Sequence, residues 1–102
     1  MKTREEIISL GIDGFKADEI MLLQEKMLER AVKFQFKKKD GSIRDAVGTL
    51  KRELMLLPNG EKWQPVGPKK PECPTTVGYW DLEKLMWRSF TITEFIGLAA
   101  EG

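Results

Sequence analysis

The chain has 102 residues, of which 41% are hydrophobic and 32% charged, and its net charge is +1. That balance describes one ordinary globular domain. It excludes a disordered or polycationic chain, so any affinity for nucleic acid or a membrane surface has to come from a local patch. The chain has no histidine and one cysteine, Cys73, which removes the commonest general base and metal ligand together with any internal disulfide or paired-cysteine zinc site.

The opening residues, MKTREEIISLG, are broken by charge and lack the apolar run of a signal peptide. No segment approaches the ~20 apolar residues that span a bilayer, so the expectation is a soluble, cytoplasmic protein with no membrane contact. Thr3 with Glu6 fits a capping box, and Ile7, Ile8 and Leu10 give a short helical face that stops at Gly11. A longer helix is predicted from about Ala17 to Ala31, capped by Asp18. Its stripe is Ile20, Leu23, Met27 and Ala31, widened by Leu28, with Glu25, Lys26, Glu29 and Arg30 on the wet face.

The period then changes to two. Val32, Phe34 and Phe36 alternate with Lys33, Gln35 and Lys37, the pattern of a half-buried strand, and Asp40-Gly41 marks a hairpin turn. The next strand, Ser42 to Leu50, has mixed parity: either Ile43, Asp45 and Val47 face inward, or Arg44, Ala46, Gly48 and Leu50 do. Residues 51–75 hold all five prolines and read as a long irregular loop, with a turn or two of helix in KRELMLL and Trp63 as its anchor. Loops beyond roughly 12–15 residues in a compact domain are usually functional or mobile.

Thr76 to Asp81 and Met86 to Phe90 form a second hairpin around Leu82 to Leu85. With Glu83-Lys84 at the turn centre, Val77 faces Phe90, Tyr79 faces Arg88 and Trp80 faces Trp87. Trp87 and Phe90 are three apart, so either a bulge intervenes or one aromatic face points outward. A last strand runs from Phe95 to Leu98. The predicted architecture is α+β: an N-terminal helical segment over 1–31, then a small five-stranded SH3/Sm-like β-barrel over 32–98.

Two motifs carry a resemblance. FKKKDGSIRDAVGTL supplies Phe34, Phe36, Lys37 to Gly41, Ile43, Arg44 and Ala46 to Thr49. YWDLEKLMWRSF supplies Trp80 to Lys84 and Trp87 to Phe90, and FIGL follows. In that order they resemble the WYL-like, Sm-type SH3 β-barrel family, small proteins of gut bacteria and their phages. The resemblance covers about Val32 to Leu98 and leaves out the N-terminal helices. It implies an Sm-like barrel and no particular activity. The wider WYL class is similar to ligand-sensing regulatory modules, some linked to nucleic acids or nucleotides. The family carries glycines after DLEK, where this chain has Leu85 and Met86.

The main candidate site is a basic and aromatic surface: Lys37, Lys38, Lys39 and Arg44 on one hairpin, and Arg88 and Ser89 with Tyr79, Trp80 and Trp87 on the other. A cationic groove with stacking rings is how small barrels bind single strands, and the arginine fork suits phosphate. The competing reading makes the lysines a solvated hairpin tip and pairs Arg88 with Asp81 or Glu83. Cys73 lacks an activating histidine, and the carboxylate sets Glu5/Glu6, Asp18/Glu19 and Asp81/Glu83 read as caps and turns, so catalysis and metal or cofactor binding are not expected. The expected function is a non-enzymatic binding or regulatory module for nucleic acid or a nucleotide-like ligand. The alternative is a protein-interaction or self-association module using Met21, Leu22 and Leu28 or a barrel edge.

Overall fold

Two helices precede five strands in the computed structural model, which describes residues 1–99. Helix α1 (Arg4–Ile8) starts at the expected capping box: the Glu6 amide donates to Thr3 Oγ1, and the Thr3 amide donates to Glu6 Oε1, both at 3.2 Å. Helix α2 (Gly14–Met27) departs from the sequence reading at both ends. Its cap is Asp13, whose Oδ1 accepts the Lys16 amide at 2.9 Å, while Asp18 lies inside the helix and takes Arg4 Nε at 2.6 Å.

The helix also stops at Met27, short of Ala31, because a strand captures its last carbonyls. Met27 O accepts the Leu50 amide at 2.7 Å, and Thr49 Oγ1 lies 3.1 Å from both the Met27 and the Arg30 carbonyl oxygens. These bonds satisfy C-terminal carbonyls that would otherwise lack partners. Leu28 and Ala31 are left exposed, while Ala17, Ile20, Leu23 and Met27 bury their stripe in one core with the sheet.

Strands β1 (Val32–Lys37), β2 (Ile43–Thr49), β3 (Thr76–Asp81), β4 (Met86–Thr91) and β5 (Phe95–Leu98) form an antiparallel sheet in the order β4-β3-β2-β1-β5. The first turn is the predicted one. The Gly41 amide donates to Lys38 O at 2.9 Å with Gly41 at φ 89, and Asp40 Oδ1 accepts the Ser42 amide.

The open parity of β2 resolves with Ala46 and Gly48 inward and Ile43 outward. Gly48 decides it, since a Cβ there would stand 2.6 Å from Tyr79 Cδ2 and 3.2 Å from Phe34 Cε1. The β3–β4 ladder has the register read from the sequence and runs without a bulge, so Trp87 points outward.

The sheet curls tightly. Phe36 on β1 and Phe90 on β4 are two strands removed from being neighbours, yet their rings stack at 5.6 Å, and Phe90 meets Phe95 of β5 at 5.4 Å. It does not close: among the described residues β4 and β5 are its two edges. The expected irregular loop, 51–75, holds regular structure in its first half, while residues 64–75 form neither helix nor strand. A 3-10 turn at Arg52–Leu54 leads into a tight hairpin around Pro58-Asn59-Gly60, where the Leu57 amide donates to Glu61 O at 2.7 Å and the Trp63 amide to Met55 O at 2.8 Å.

Candidate functional site

The alternation of β3 and β4 places Thr76, Gly78 and Trp80 on one face with Trp87, Ser89 and Thr91. This face lies opposite the main core, and the small hairpin brings Trp63 onto it. All three tryptophans of the chain then form one cluster. Trp80 and Trp87 meet edge-on at 5.8 Å, Trp63 meets Trp87 edge-on at 5.4 Å, and Trp63 lies 6.0 Å from Trp80. The Arg52 guanidinium stands 5.7 Å from the Trp63 ring centroid, a cation–π distance. Trp80 is buried, but Trp87 keeps 39% of its surface. Trp63 therefore anchors its loop, and Trp87 retains exposed ring surface.

Beside the cluster runs a groove of ≈ 1040 Å³, walled by Trp63 and Trp87, residues 65–73, the chain's first two residues, and Gly78, Arg88 and Ser89. Its cations are Lys2, Arg52, Lys69, Lys70 and Arg88. Its one carboxylate, Glu72, is engaged by Lys2 Nζ at 3.4 Å and by the Met1 ammonium at 3.1 Å. Cys73 also lines the groove. Hydrogen bonding to the Thr75 side chain, reinforced by the Thr75 backbone and Thr76, lowers its thiol to about 7. No histidine exists to serve it as a base.

On the other face the two hairpin tips lie side by side. Arg44 Nη2 donates to Asp81 Oδ2 at 2.5 Å, and the fully buried Asp81 turns its other oxygen to the Glu83 amide at 2.8 Å and the Lys84 amide at 3.0 Å. A depression of ≈ 470 Å³ between the tips is lined by Lys38, Ser42, Ile43, Arg44, Asp45, Lys84 and Arg88. Tyr79, the cross-strand partner of Arg88, is fully buried, and its hydroxyl has no partner among the described residues. Burial raises the Tyr79 phenol above its ordinary pKa; the positive fields of Arg44 and Arg88 oppose that shift, and Asp81 and Glu83 add to it.

The sheet thus divides the residues that the sequence grouped. Lys38, Arg44 and Arg88 come together between the hairpin tips, and Lys84 joins them. Trp87 and Ser89 line the groove on the opposite face, with Arg88 bordering both. Lys37 and Lys39 are exposed and line neither space. Tyr79 and Trp80 are buried and offer no open ring to a base.

Arg88 does not hold Asp81; Arg44 does, and among the described residues Arg88 forms no ion pair. Sequence reasoning missed Arg52, Lys69, Lys70 and Lys84. Lys84 had a signal, its place at the centre of the second hairpin turn; the other three stand in a segment without periodicity.

Among the described residues no group of three or more His, Cys, Asp or Glu side chains is placed to hold a metal ion, and no helix is long and apolar enough to cross a membrane. Compared with known families, residues 20–96 match the one described as WYL_2, Sm-like SH3 beta-barrel fold. The match begins at Ile20, inside α2, and so takes in part of the helix that the motif resemblance left out. No curated protein and no solved structure matches the chain.

Proposed function

The chain belongs to the WYL_2 family of Sm-like SH3 β-barrel proteins, and from that premise we propose that it is a non-enzymatic binding module whose groove takes a phosphate-bearing ligand with an aromatic base, a nucleotide-like molecule or a single nucleic-acid strand. In this reading the curled sheet is the family's barrel. The observation that carries the proposal is the partly exposed Trp87 at the wall of a groove whose unpaired cations are Arg52, Lys69, Lys70 and Arg88.

A flat ring and several cations are what a base and its phosphate require, and base–aromatic stacking contributes about 1–3 kcal/mol per base. The volume is that of a small-ligand pocket, for which roughly 300–1,000 Å³ is typical. Binding rather than chemistry is favoured because the chain has no histidine to act as general base, and the carboxylate in the groove lining, Glu72, is taken up by Lys2 and the Met1 ammonium.

The test is a fluorescence titration of the whole chain with adenosine monophosphate and with single-stranded DNA and RNA. Trp87→Ala and the Lys69→Gln/Lys70→Gln pair are expected to weaken binding; the lysine pair leaves the melting temperature nearly unchanged, whereas Trp87→Ala lowers it through the loss of its ring contacts with Trp63 and Trp80 but leaves the protein folded. Wild-type binding that survives both changes defeats the proposal.

A second reading, a protein-interaction module, is favoured by α2. Phe15 is 92% exposed and Leu22, seven residues on along the same helical face, is 42% exposed. An apolar interface there is insensitive to salt, whereas phosphate binding weakens steeply as salt rises.

A further inference from the structure

We propose that the space between the two hairpin tips is a second, separate binding site, specific for a phosphate group. Two observations converge on it; Arg88 borders the groove as well, so Lys38, Arg44 and Lys84 are the residues that distinguish this site from it.

The first is the assembly of charge. Lys38 comes from the β1–β2 turn, Arg44 from β2, Lys84 from the β3–β4 turn and Arg88 from β4, and all four line one depression of ≈ 470 Å³. A solvated tip explains the lysines of one turn. It does not explain why two turns and two strands bring their cations to the same space, where they repel one another. The only carboxylate in that lining is Asp45, and its Oδ1 accepts Gln35 Nε2 at 2.5 Å. Among the described residues Lys38, Lys84 and Arg88 form no ion pair.

The second is preorganisation. Asp81 is fully buried and binds one guanidinium nitrogen of Arg44, and its other oxygen fixes the turn that carries Lys84. Arg44 is held in place by a single contact, and the guanidinium has five N–H donors. The rest of its fork is available for two oxygens of a tetrahedral anion.

Lys38, Lys84, Arg88 and the part of the Arg44 fork not bound to Asp81 set an excess of positive charge against one carboxylate of the described lining, Asp45, which Gln35 engages. That excess favours a dianionic phosphate over a singly charged carboxylate.

The test is an NMR titration of the whole chain with inorganic phosphate, against chloride at matched ionic strength. The expected result is saturable shifts at Arg44, Lys84 and Arg88. Lys84→Gln and Arg88→Gln each weaken binding about tenfold, as the loss of one charge-assisted bond does. Trp87→Ala leaves it unchanged, which separates this site from the groove.

Adenosine monophosphate in place of phosphate identifies the source. Tighter binding at the same three residues means that the phosphate arrives as an ester, and equal affinity means that free phosphate suffices. Shifts that do not saturate, that chloride reproduces, or that survive Lys84→Gln and Arg88→Gln overturn the site. So does adenosine monophosphate that perturbs only Trp63 and Trp87, a result that leaves the groove reading standing.

Discussion

Replacing Arg44 with glutamine should cost this protein far more than replacing Arg88, although the two arginines border the same depression. Asp81 is 0% exposed and Arg44 14% exposed, so the pair is almost wholly removed from water. Removing one partner of a buried pair leaves an uncompensated charge and costs about 3–5 kcal/mol. Asp81 Oδ1 still accepts the Glu83 and Lys84 amides in the variant, which places the expected loss near the lower figure, about 3 kcal/mol.

For a domain of this length each kcal/mol lowers the melting temperature by roughly 4 °C or more, so Arg44→Gln should melt about 12 °C or more below the wild type. Arg88 is exposed and unpaired, and Arg88→Gln should stay within about 0.5 kcal/mol. Urea unfolding followed by tryptophan emission and thermal melting by circular dichroism both read the difference. Adding Asp81→Asn to Arg44→Gln should recover part of the loss, because the stranded charge is then gone. An Arg44→Gln protein as stable as the wild type, or an Arg88→Gln protein equally weakened, refutes the structural role assigned to Arg44 through Asp81 and withheld from Arg88.

Further expectations concern the backbone and the thiol. Gly48→Ala pushes a methyl against two fully buried rings and should destabilise by about 1–3 kcal/mol, whereas Gly78→Ala, where the nearest atom is 4.0 Å away, should be neutral or slightly stabilising; a pair of urea curves decides it. Leu85 has φ 56, so Leu85→Gly should be more stable than Leu85→Ala by about 0.5–1 kcal/mol, the reverse of the usual order, and equal melting temperatures would remove the strain argument. Alkylation of Cys73 by iodoacetamide should rise with pH through a midpoint of about 7, as the thiolate forms, and Thr75→Val should move that midpoint upward; a midpoint unaffected by the change would show that the Thr75 bond does not set it.

The parts of the fold that were legible in the sequence are those set by local rules. Phe34 and Phe36 alternate with lysine and glutamine, Asp40-Gly41 supplies a positive φ, and the aromatic pairs of the second hairpin align only in one register. What was not legible was decided across the chain. The end of α2 is set by Thr49 and Leu50, which lie far along the sequence. Its start was hidden because Phe15 is exposed and breaks the apolar period that would have pointed to Asp13. The inward face of β2 depends on the Tyr79 ring passing over Gly48, and no pattern within β2 records that.

The candidate site divides in the same way. Composition pointed to lysines and arginines on the two hairpins, but only the curl of the sheet brings Lys38, Arg44, Lys84 and Arg88 to one space. Tyr79 and Trp80 are adjacent in sequence and therefore face opposite ways, one into the core and one toward Trp63, which is why a single basic and aromatic surface became two spaces.

The most direct test of the groove as a binding site is the affinity of the whole chain for a single-stranded oligonucleotide, read from tryptophan emission across a series of salt concentrations. Binding through the groove predicts quenching that Trp87→Ala abolishes, and an affinity that falls with log salt at a slope of about −0.7 for each phosphate engaged. No quenching at low salt, or an affinity indifferent to salt, contradicts it.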